Sequence, residues 1–166
     1  MPKLIDVNGL RADGWVNFDG DAGSIRGQQD VILPLDVWRE YKAQWQGRVG
    51  RVGVLLSPAD DVSVLAADLS ELDLVAVSFP SFIDGRGYSQ ARLLRERFSF
   101  LGELRAVGDV LIDQLFYLRR CGFDSFALRD DQDLASAQQA LKAFSNAYQG
   151  AVNQAPLFRR RAALAA

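Results

Sequence analysis

Residues 79–129 read FPSFIDGRGYSQARLLRERFSFLGELRAVGDVLIDQLFYLRRCGFDSFALR, and the punctuation of this stretch sets the architecture. Pro80 stops an apolar strand that ends at Phe79. The loop Asp84-Gly85-Arg86-Gly87-Tyr88-Ser89 then leads into a helix. Leu104 to Val107 reads as the next strand, and Gly108-Asp109 hands over to a helix carrying Ile112, Leu115 and Phe116. Gly122 follows Arg119 and Arg120, where a helix C-cap glycine belongs. Phe123 to Leu128 starts a third strand. In a parallel sheet such strand-to-helix turns gather on one edge, the edge where ligands usually bind.

The same alternation extends to both sides. Val52 to Leu56 and Leu74 to Phe79 are short apolar runs of the kind a buried parallel strand shows. Between them Asp60 or Asp61 can cap a helix whose apolar positions are Val62, Leu65, Ala66, Leu69 and Leu72. Ser89 can cap the next helix, with Ala91, Leu94, Phe98 and Leu101 inward and Arg92, Arg95 and Glu96 outward. Asp133 can cap a last one carrying Leu134, Ala137, Leu141, Phe144 and Tyr148. Four consecutive β-α units with short connections require right-handed parallel crossovers. The fold class is therefore α/β, a parallel sheet with flanking helices, either open or curved into a half-barrel.

Residues 31–150 make the single α/β domain, opened by a strand at Val31 to Pro34 and a helix over about 36–46 with Asp36 as N-cap. Residues 1–30 form an irregular or hairpin-like lead-in, in which Trp15, Val16 and Phe18 can make one short strand. Residues 151–166 read as a tail whose Phe158-Arg159-Arg160-Arg161 run is either solvated or set against an acidic partner.

Composition excludes more than it proposes. With 166 residues the chain fits one domain, and a net charge of −2 lacks the basic footprint of general nucleic-acid binding. There is no histidine and one cysteine, which removes the usual general base, the commonest metal ligand and any thiolate cluster. No apolar run is long enough to span a membrane, and the N-terminus lacks the layout of a signal peptide. A cytoplasmic protein without cofactor or metal is the expectation. Cys121 sits late in its helix, where the helix field opposes a thiolate, and reads as structural.

The loop after Phe79 is the first candidate for chemistry. Gly85 and Gly87 permit close backbone approach, a helix starts there, and Tyr88 and Ser89 follow. Arg86 and Arg92 can add charge-assisted bonds to an oxyanion. The alternative is a tight turn with Arg86 paired to Asp84. The loop is neither a G-x-G-x-x-G fingerprint, since Gln90 replaces the third glycine, nor a P-loop. Asp109 and Arg129, at the ends of the two following strands, can support the same site, or cap a helix and form a surface ion pair. The spacing of Trp38, Tyr41 and Trp45 offers a second possibility, a docking stripe, against simple packing on the sheet.

The segments GRGYSQARLLRER and GELRAVGDVLIDQLFYLRRCGFDSFALR, with the earlier WREY and VGVLLSP, resemble the proteobacterial domain-of-unknown-function family nine hundred thirty-four over roughly residues 30–130. The resemblance implies a gene neighbourhood beside assimilatory sulfite reductase and the label of an oxidoreductase of sulfite reduction. It brings no catalytic residues to carry over. The expectation is an accessory protein of sulfite reduction that binds a partner, sulfite reductase or its electron donor, or a small oxyanion. The competing classes are an enzyme with an oxyanion site at the strand ends and a half-barrel subunit that works as a homo-oligomer.

Overall fold

The computed structural model describes residues 3–21, 27–142 and 150–152. Within them an eight-stranded sheet curls into an open half-barrel. The strands are β1 (Lys3–Asp6), β2 (Gly9–Leu10), β3 (Trp15–Asn17), β4 (Asp30–Pro34), β5 (Val52–Leu56), β6 (Leu74–Phe79), β7 (Glu103–Gly108) and β8 (Ser125–Leu128). Their spatial order is β2-β1-β8-β7-β6-β5-β4-β3. From β3 to β8 all neighbours are parallel, while β1 runs antiparallel to both β8 and β2.

The four helices are α1 (Leu35–Trp45), α2 (Arg86–Arg92), α3 (Leu115–Arg120) and α4 (Leu134–Lys142). Alternation along each strand decides which face they cover, because successive side chains point to opposite sides. Val54 and Leu56, Val75, Val77 and Phe79, Leu104 and Ala106, and Phe126 and Leu128 share one buried cluster with Leu35, Trp38, Ala91, Leu94, Leu115, Leu118, Ala137 and Leu141 from the helices. The intervening residues face the other way. There Ile32, Leu74 and Ala76 form a separate small cluster with Trp15, Leu55 and Val107. Among the described residues all four helices thus lie on one face, and none covers the other.

Several local expectations change. The 60–72 segment is not an α-helix but two 3-10 turns, Val62–Leu65 and Leu69–Glu71. Its apolar spacing also suits two tight turns, and Asp61 accepts the Ser63 amide at 2.9 Å to start the first. The residue before α2 is Gly85, and Ser89 lies inside the helix. A wide i→i+5 turn over Leu93–Arg97 follows α2, closed by the Phe98 amide on the Leu93 carbonyl at 3.1 Å. That turn breaks the 3.6-residue period. It leaves Leu101 95% exposed, while Arg95 turns inward to the carbonyls of Gly122, Phe100 and Gly102 and to Asp124.

Trp38 and Trp45 are buried and only Tyr41 is exposed, so the aromatic stripe packs on the sheet instead of forming a docking face. Trp38 Nε1 and Lys42 Nζ both reach Asp68, at 2.9 and 2.5 Å, clamping α1 to the 3-10 segment. Burial pushes the Asp68 carboxyl up, but these two bonds outweigh it and hold it below its ordinary value. Asp36 lies in the first turn of α1 and makes no side-chain cap there. The expected positions Phe144, Tyr148 and 158–161 lie outside the described residues.

Candidate functional site

The face that no helix covers among the described residues carries a cleft of about 400 Å³. Its floor is Ile32, Leu55, Ala76, Val107 and Ala127, one from each of β4 to β8. Ala76 on β6, the middle strand of the five, and Ala127 on β8, the outermost of the five, are its smallest members. Asp13, Asn17 and Arg105 stand at one end of it, and Arg129 and Asp130 at the other. An apolar concavity with a few polar groups converging on it is the usual form of a small-molecule site.

Arg105 is the residue that the sequence reading missed. It sits mid-strand on β7 among apolar neighbours and is 2% exposed. Its Nε and Nη2 donate to Glu103 Oε1 at 3.0 and 2.9 Å, and its Nη1 to both oxygens of Asp13 at 3.0 Å. Ser125 Oγ donates to the same Glu103 oxygen at 2.6 Å, and Arg11 pairs with its other oxygen at 3.0 Å. A buried charge needs such partners, since an unpaired one is strongly destabilising. Asp13 belongs to the lead-in, so this network ties residues 11–15 over one end of the cleft. The only local hint is a charged residue inside an apolar strand.

The residues singled out in the sequence gather at the opposite end, the edge formed by the C-terminal ends of β6, β7 and β8. They do not converge on one point. Arg86 donates Nε and Nη2 to Asp84 at 3.0 and 2.7 Å; this pairing raises the guanidinium and lowers the carboxyl from their ordinary values. Arg92 pairs with Glu96 at 3.0 Å on the exposed side of α2. Gly87 serves packing: a Cβ there would lie 2.7 Å from the Phe79 ring. Tyr88 packs between Phe79 and Tyr117, with ring centroids 5.3 and 5.1 Å away, and burial raises its hydroxyl. Ser89 is exposed on the helix.

Asp109 does not cap α3. Its Oδ2 accepts the Phe82 amide at 2.9 Å, and its Oδ1 accepts from Arg129 Nη1 at 2.8 Å. Arg129 also reaches Asp131, whose carboxyl falls to about 2 under hydrogen bonds from Arg129 and Gln132. Gln90, which replaces a fingerprint glycine, is buried and donates to the carbonyls of Ser57 and Asp60 at 2.8 and 3.0 Å. It ties α2 to the loop after β5. Cys121 is buried and its thiol is pushed up by that burial. Among the described residues no group of three or more Cys, Asp or Glu side chains could hold a metal ion, and no helix is long and apolar enough to cross a membrane.

The central β-α units of this half-barrel fall within a match to the family of bacterial proteins of unknown function known as DUF934, which covers residues 53–158. The chain belongs to that family. No curated protein matches it. The match runs from β5 past α4, so in this DUF934 protein the matched part holds the C-terminal strand edge and most of the cleft floor, while Asp13, Asn17 and Ile32 come from outside it.

Proposed function

We propose that this chain is an accessory protein of assimilatory sulfite reduction that works by binding. The observation supporting a binding role is the face opposite the four described helices, which offers a cleft with an apolar floor and charged ends. Its polar lining comprises Asp13, Asn17, Arg105, Arg129 and Asp130. Both arginines are already paired with carboxylates, a lining suited to holding a ligand in one orientation. The link to sulfite reduction rests on the family resemblance and the gene neighbourhood that it implies. A small oxyanion would have to displace Asp84 from Arg86, or Glu96 from Arg92, to use the loop after β6. The arginines of the cleft are paired as well, so what makes it the better seat for a small ligand is its concave, apolar floor.

The test is a deletion strain grown on sulfate or on cysteine, complemented with wild type or with Ala127→Leu, which fills the cleft floor. A requirement for cysteine that only the wild type relieves, with both proteins folded, supports the reading. Normal growth of the deletion strain on sulfate overturns the sulfite role. A second reading has one observation in its favour: a half-barrel face left uncovered by the described residues is also what a second copy would cover. Light scattering showing a dimer that Ala127→Leu dissociates would favour that reading over the ligand site.

A further inference from the structure

The polar residues at the ends of β6, β7 and β8 brace an apolar tip. The loop after β6 carries Phe82 and Ile83 outward, 53% and 78% exposed. Phe82 is held on both sides of its backbone. Its amide donates to Asp109 Oδ2 at 2.9 Å, and its carbonyl accepts from Gln114 Nε2 at 3.0 Å. Arg129 fixes Asp109 in turn. Just beyond the tip the Asp84 amide donates to the Ser81 carbonyl at 3.0 Å. The Asp84 carboxylate takes the Arg86 amide at 3.2 Å as well as its guanidinium.

Single exposed apolar residues are ordinary. Two adjacent ones on a loop pinned by Asp84, Arg86, Asp109 and Gln114 form a fixed shape, which loses little conformational freedom on binding. We propose that Phe82 and Ile83 are the contact point for a partner protein that offers an apolar pocket ringed by lysine and arginine. Charge selects that partner. Asp84, Asp109, Asp113, Asp130 and Asp131 belong to the loops around the tip, against Arg86 and Arg129. This excess of three carboxylates exceeds the net charge of the whole chain, −2. A second copy meeting this edge with its own would bring like charges together, and an anionic lipid surface would be repelled. Two side chains cannot make a large permanent interface, so the tip is the centre of a small, transient one.

This inference rests on the binding role proposed above but not on sulfite reductase being the partner. The experiment places a photo-crosslinking amino acid at position 83 of the full chain in its own cells. The same group at position 101, even more exposed and at the opposite edge, is the control. Joined peptides are mapped by mass spectrometry, and the two proteins are then purified and their affinity measured. The expected result is adducts from 83 and not from 101, on a surface rich in lysine and arginine. Phe82→Ser should weaken the purified pair on the order of tenfold or more, and Asp113→Lys should slow association at low salt. No adduct from 83, adducts only to a second copy, or an affinity indifferent to Phe82→Ser overturns the proposal. A basic partner unconnected with sulfite reduction supports the docking surface and overturns the accessory role.

Discussion

The two faces of the sheet are built from the same strands and obey different rules. On the helix side every strand from β4 to β8 buries aliphatic or aromatic side chains against α1 to α4. On the other side the same strands leave a cleft floored by small and medium residues and ended by charges. One face holds the molecule together and the other leaves room. What decides between them is a single step along a strand, since Leu55 and Leu56, or Val107 and Ala106, differ only in the direction they point.

That contrast can be broken by mutation. Phe126→Ala empties a fully buried site on the helix side and should cost about 3–5 kcal/mol, against roughly 1 kcal/mol for Val107→Ala on the cleft floor. Denaturant melts of the two variants measure the difference. Equal costs would mean that something covers the cleft in solution. Arg105 sharpens the comparison, because it is a buried charge on the open face. Arg105→Met should cost about 2–4 kcal/mol by leaving Glu103 with only Arg11 and Ser125 as partners, and adding Glu103→Gln should recover part of it. A double mutant no more stable than the single one would show that Arg11 and Ser125 suffice to hold Glu103. Cys121→Ala, on the covered side, should cost about 1 kcal/mol and leave partner binding unchanged in a pull-down through the Phe82–Ile83 tip.

The smallest effect expected is with pH. Asp84, partly buried, and Asp131, exposed, are carboxylates held below their ordinary value of 3.8, by Arg86 and by Arg129 respectively, Asp131 to about 2. A carboxyl lowered in the folded state adds stability above its unfolded value and loses it as pH falls through the folded one. Thermal melts should therefore be flat from these groups between pH 7 and about 5, then decline between about 4 and 2. A decline that starts near neutrality would point to some other group.

Much of the covered face was legible because it follows periodicities that the sequence displays. Strands β5 to β8, the glycine ending α3 and the Asp133 start of α4, where the carboxylate accepts the Ser136 amide at 2.8 Å, all follow local rules. The cleft was not legible. Its floor residues sit inside continuous apolar runs, and a run such as LVAVSF looks the same whether its second face meets helices or a curled sheet. The wide turn after α2 has no sequence signature here, which is why Leu101 and Arg95 exchange their expected sides. The site residues were found as residues but not as a unit. Nothing local tells Asp109 to hold the Phe82 amide, 27 residues away, instead of its own helix.

The antiparallel seam between β1 and β8 also sets an order of events during synthesis. Strands β3 to β8 each pair with the next in sequence, so that part of the sheet can grow as the chain emerges. Strand β1 is made before the other strands, yet its partners on β8, Leu128, Ala127, Phe126 and Ser125, belong to the last of the described strands. Until then Leu4 and Ile5 have only the short strand β2 beside them. Pairing between segments so distant in sequence is slow to form, so the N-terminal strand should be the last to join. By docking on β8 it closes an edge that would otherwise stay open to another chain.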